Sequence, residues 1–166
     1  MRDPLVERSA RAAVAGVVAV VPMSLWMLVA KRLGMLRRQP PEEITERSSR
    51  RVGIELDEGA SDAVSIAAHV AYGAGVGAAY GSIVPARLAG GVSGVAYGLA
   101  VYGASYLGWL PAMHLRPAGQ GRANRPTVAM VLAHVVYGWV VGRLTSSASG
   151  ERPHGRRRTF RRVGND

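Results

Sequence analysis

The sequence predicts an all-α, polytopic membrane protein, a four-transmembrane-helix bundle with a two-helix internal repeat. Three observations carry that prediction: four long windows without charge, rows of glycine at four-residue spacing, and one histidine motif that occurs twice. Nineteen uncharged residues separate Arg11 from Lys31, 24 separate Asp62 from Arg87, 28 separate Arg87 from Arg116, and 17 separate Arg125 from Arg143. A helix needs about 20 predominantly apolar residues to cross the hydrocarbon, within a range of roughly 17 to 25. All four windows qualify, and they place spans at about 12–30, 63–84, 88–110 and 127–144. A soluble bundle would carry a charged face on each helix at the helical period, and none of these windows has one. The mean hydropathy of +0.08 is low only because it averages the windows with polar connections and a basic tail.

The first window is preceded by arginines and ends at Ala30, as a signal peptide would be. Its apolar run exceeds the roughly 7 to 15 residues of a secretory core, and Leu28-Val29-Ala30 is a poor cleavage site, so it reads as an uncleaved span. With no cysteine in the chain, disulfides and thiolate metal sites are excluded. No cofactor is expected. No metal site is expected either, since His69 and His134 alone fall short of four-coordinate ligation.

The first connection carries a helix signal over about 41–52. Pro41 stands at its start, Glu42 and Glu43 in its first turn, Arg50 and Arg51 in its last, and Gly53 just beyond. Glu43 with Arg47 and Glu46 with Arg50 add i,i+4 pairs. The segment is either a solvated linker helix or an element that meets an unknown protein partner. Glu55, Asp57, Glu58 and Asp62 follow it without the spacing of a calcium loop. The short turn with Pro85 and Arg87 makes spans two and three antiparallel neighbours. Pro111 to Pro126 reads as an interfacial loop, with Tyr106, Trp109 and His114 expected at the headgroup level.

Residues 145–166 read as a disordered basic tail. Arg156, Arg157, Arg158, Arg161 and Arg162 suit contact with anionic lipid headgroups, whereas nucleic-acid binding is not expected without a folded motif. Counting Lys and Arg on the two sides of a four-span topology gives 11 against 10, close to a tie under the positive-inside rule. The tail's arginines favour both termini in the cytoplasm, while Lys31, Arg32, Arg37 and Arg38 pull the other way.

Residues 68–73, Ala-His-Val-Ala-Tyr-Gly, return at 133–138 as Ala-His-Val-Val-Tyr-Gly. Four-residue spacing from His69 collects Gly73, Gly77 and Gly81, and from His134 it collects Gly138 and Gly142. Span three has its own row, Gly90, Gly94, Gly98, Tyr102 and Tyr106. Such stripes let helix backbones approach closely in lipid, within one bundle or in a homo-oligomer. The histidines lie in line with the glycines and so should face inward. Together with Tyr72, Tyr102 and Tyr137 they form the candidate intramembrane polar site. Two readings stay open for it: interhelical hydrogen-bonding glue, or a proton relay. No catalytic residue is assigned, because the chain has no nucleophile elbow, carboxylate cluster or phosphate loop. Gly91-Val92-Ser93-Gly94-Val95 echoes Ala13-Val14-Ala15-Gly16-Val17, which suggests that spans one-two and three-four repeat.

Five motifs in order carry a resemblance: Gly16…Pro22-Met23-Ser24, Pro40-Pro41-Glu42-Glu43-Ile44, Ala68-His69…Tyr72-Gly73, Tyr106-Leu107-Gly108-Trp109-Leu110-Pro111 and Ala133-His134…Tyr137-Gly138. Over roughly residues 12–144 the chain resembles the YagU-like family of uncharacterised bacterial inner-membrane proteins, whose domains have no assigned function. That resemblance implies a bacterial inner-membrane location and contributes no catalytic residues. The expectation is a non-enzymatic integral membrane protein of structural, regulatory or assembly type. The alternative is a small oligomeric transporter or proton-linked channel using His69 and His134.

Overall fold

In the computed structural model, residues 3–36, 40–115 and 124–150 are described, with side chains through 147. Every regular element among them is helical: α1 (Pro4–Arg32), α2 (Pro40–Arg51), α3 (Glu58–Ile83), α4 (Gly91–Tyr102) and α5 (Arg125–Gly150). Helix α4 runs straight into a π-helical stretch, Gly103–Trp109, and a last α turn, Leu110–Ala112. Three helices, Pro4–Arg32, Glu58–Ile83 and Arg125–Ser147, are long and apolar enough to cross a membrane. The third window, 88–110, does not form one unbroken α-helix of that length, because i→i+5 bonding takes over at Gly103.

Polar residues set the helix ends. Asp3 accepts from the Leu5 amide and Asp57 from the Ala60 amide, at 2.8 and 2.7 Å, and Asn124 accepts from Thr127 at 2.9 Å. Gly34 and Gly53 take the left-handed conformation, φ 68° and 73°, that ends α1 and α2. His114 does the same at φ 55°, where the Leu115 amide reaches back to the Leu110 carbonyl. The basic tail was expected from residue 145, but α5 continues helical to Gly150. Arg156, Arg157, Arg158, Arg161 and Arg162 lie outside the described residues.

The helices pack as two antiparallel pairs, α1 with α3 and α4 with α5, and α1 also packs along α5. Glycine sets the pair distance. A Cβ added to Gly16 would lie 2.2 Å from the Gly73 carbonyl oxygen, and one added to Gly77 would lie 2.3 Å from that of Ala12. In the other pair, a Cβ on Gly94 would lie 2.0 Å from the Gly138 carbonyl oxygen, and one on Gly142 would lie 2.0 Å from that of Gly90. All these glycines meet helices of the same chain, so the rows are occupied internally. Spans two and three were expected to be antiparallel neighbours. They are antiparallel, but the backbones of α3 and α4 scarcely touch and tyrosines bridge the gap.

The outer surface is apolar. Val14, Val21, Leu25, Ile66 and Val92 are exposed, while Ala12, Ala19, Ala30 and Ala133 are buried. Large side chains outside and small ones inside suit helices that pack by close backbone approach with lipid around them.

Candidate functional site

The bundle is tight at one end and open at the other. At the tight end the glycine contacts hold the pairs together, and Arg8 donates to the Gly81 and Ser82 carbonyls at the end of α3. At the other end Met23, Met27, Met130 and Val101 stand where glycines do not, and a cavity of about 240 Å³ opens between the pairs. Its wall is mainly apolar, with His69, His134, Tyr72, Tyr106, Tyr137, Ser65, Ser105 and Thr45 as the polar side chains. Among the described residues none of the side chains in its lining is acidic, Lys or Arg.

Each wall has a local cause. The π-helical stretch widens the turn of α4 and brings Ser105, Tyr106 and Trp109 onto the cavity face together. Helix α2 closes the end through Pro41, Ile44 and the buried Thr45. It is docked by Arg47 and Arg51, whose guanidinium groups donate to the Leu115 and Met113 carbonyls beyond the last turn of the fourth helical segment. Glu43 with Arg47 and Glu46 with Arg50 form the i,i+4 pairs along it, each at 2.6 Å.

The sequence-derived residues divide in two. Tyr137 donates to the Gly73 carbonyl at 2.6 Å, across the bundle, and Tyr72 shares a 2.8 Å hydrogen bond with Ser105. Tyr72 and Tyr137 therefore bond between helices, while Tyr102 contributes ring contacts. The histidines form no such bond among the described residues: His134 is buried and its Nδ1 lies 2.8 Å from the Met130 carbonyl of its own helix. An imidazole nitrogen facing a carbonyl must carry the proton, which leaves Nε2 of neutral His134 as an acceptor. The rings of Tyr102 and Tyr106 stack on each other and meet His134 edge-on, with centroids 5.4 and 5.7 Å from it. Tyr106, expected at the headgroup level, is thus part of the box around His134.

His69 is only half-buried, and its Nε2 is enclosed without a hydrogen-bond partner among the described residues. A buried polar atom left unpaired is uncommon and costs roughly 1–3 kcal/mol. A second chamber, about 300 Å³, adjoins the first between α1, α2 and α3, and His69 lines both.

Sequence reasoning missed Tyr80, Tyr97 and Trp26. Tyr97 donates to the Val76 carbonyl and Trp26 to that of Ala129, both at 2.8 Å, and Tyr80 bonds Ser93. Their signal was present, since an aromatic hydroxyl or indole N–H inside an apolar window must find a partner. Among the described residues no three His, Asp or Glu side chains converge for a metal. No protein-family model, no curated protein and no solved structure matches this chain.

Proposed function

We propose that the chain is a four-span membrane protein, built as two repeated helix pairs, that binds a small and largely apolar molecule in the cavity between the pairs, in regulatory or transport service. The cavity itself carries this reading. A dry apolar cavity of about 150 Å³ takes up benzene, and drug-sized sites begin near 300 Å³. A space of about 240 Å³ therefore suits a molecule of one or two rings, or a short chain, with one polar group for His69.

Four spans are supported by the continuous helix from Gly91 to Ala112, which has the residues for a crossing even though its bonding changes midway. The repeat is supported by matching contacts, because Gly16 meets Gly73 as Gly94 meets Gly138, and Ala12 meets Gly77 as Gly90 meets Gly142. The motif order shared with the YagU-like proteins supports a place among them in a bacterial inner membrane, and the tail's arginines favour cytoplasmic termini.

The test is photolabelling of the protein in nanodiscs with a small uncharged aryl diazirine. Insertion is expected in the peptides of α3 and α5 that line the cavity, reduced several-fold, on the order of threefold or more, by Val101→Phe, which takes up part of the space. Labelling confined to the outward residues, or unchanged by that substitution, would reject the proposal.

A further inference from the structure

Resting on that binding reading, we infer that the two chambers form one bipartite site for an amphiphilic ammonium ion, its apolar body in the inner chamber and its cationic head in the outer one. The chambers share Val20, Met27, Pro41, Ser65 and His69 as walls, so a molecule in one is adjacent to the other. They differ in charge. Among the described residues the inner lining has no charged side chain, whereas the outer lining adds the carboxylates of Glu42 and Asp62 and no basic group.

Those two carboxylates stand apart from their neighbours. Glu43 and Glu46 are paired with arginines one turn on, whereas the residue four positions after Glu42 is Glu46 itself and the one four before it, Arg38, lies outside the described residues. Around Asp62 the positions one turn away are Glu58 and Ile66, so its own helix supplies no cation. Neither carboxylate forms an ion pair with another described residue. The nearest basic residues on α1, Lys31 and Arg32, are exposed and outside the lining.

The gradient is directional. Glu42 lies in the first turn of α2 and Asp62 near the start of α3, at the polar end of the helices, and the chamber runs from there along the exposed Ile66 and Leu28 to the half-buried His69 and Val70. A cationic amphiphile sits in a membrane the same way, with its head at the polar boundary and its body in hydrocarbon. Trp109 and Tyr72 in the inner wall supply aromatic faces for the body, tilted toward each other at 6.3 Å.

The experiment measures equilibrium binding of radiolabelled phenylbutyltrimethylammonium, and of its uncharged isostere with carbon in place of nitrogen, to the full chain in nanodiscs, with empty nanodiscs subtracted. The cation is expected to bind about tenfold more tightly than the isostere, the worth of two partly shielded ion pairs. In the Glu42→Gln, Asp62→Asn double variant the cation should fall to the isostere's affinity while the isostere is unmoved. Equal affinities in the wild type, or a preference that survives the double variant, would overturn the ammonium site and leave the apolar cavity standing. If neither compound binds, both the ammonium site and the binding reading fall.

Discussion

The two helix pairs use the same close contacts and end differently, and the difference lies in one row of α1. Aligning Gly16 with Gly94 sets Val20 opposite Gly98, Ser24 opposite Tyr102 and Leu28 opposite Tyr106. In the α4/α5 pair, Gly98 lets the helices stay close, since a Cβ there would lie 2.2 Å from the His134 carbonyl oxygen, and the two tyrosines close over the imidazole. In the α1/α3 pair, Val20 stands against Gly73 and lines both chambers. Ser24 and Leu28 then line the outer chamber at the positions where tyrosines fill the other pair. One histidine is thereby boxed and bonded, and the other is left on a cavity wall with its Nε2 unbonded among the described residues.

The largest effect is expected from giving α4 the residue that α1 has. Gly98→Val drives a branched side chain into the α5 backbone and should destabilise the protein by about 3 kcal/mol, read as loss of folded yield and of resistance to unfolding in mild detergent. Gly75→Ala is the control, since a Cβ there meets nothing within 4 Å. It should change stability by no more than about 0.5 kcal/mol. A tolerated Gly98→Val would mean that the close approach is not what holds the α4/α5 pair.

The converse exchange tests the vacancy. Ser24→Tyr with Leu28→Tyr puts the rings of the second pair into the first, and should fill the outer chamber and weaken binding of the ammonium probe by about tenfold or more. Unchanged binding would break the correspondence between the chamber and the missing rings.

The smallest effect is expected at one of the hydrogen bonds that join the pairs. Tyr137→Phe removes the donor to the Gly73 carbonyl and should lower stability by about 1 kcal/mol, in line with hydrogen bonds inside other membrane proteins. A loss several times larger would show that this one bond, and not the packing of α1 on α5, sets how the pairs meet.

Much of this was legible in the chain because the relevant physics is local. An uncharged window is a property of consecutive residues, and a four-residue glycine row becomes one face of a helix without reference to any neighbour. So the helices, the surface helix with its arginine pairs, the inward face of His134 and the cross-bundle bond of Tyr137 could all be anticipated. The roles of the histidines could not. His69 and His134 sit in nearly identical hexapeptides, and what separates them is contributed by α1 and α4, far along the chain.

The sequence by itself determined that the chain is helical, where its apolar segments lie and which faces can come together, since periodicity and charge are read along one strand of residues. Only the tertiary structure decided which helices pair, that α3 and α4 stand apart, that α4 changes to π-helical bonding beside a cavity, and that Glu42 and Asp62 border the same chamber as His69. The reason is that cavities belong to gaps between elements. A gap depends on the bulk of side chains meeting from several helices at once, and no single segment contains that sum.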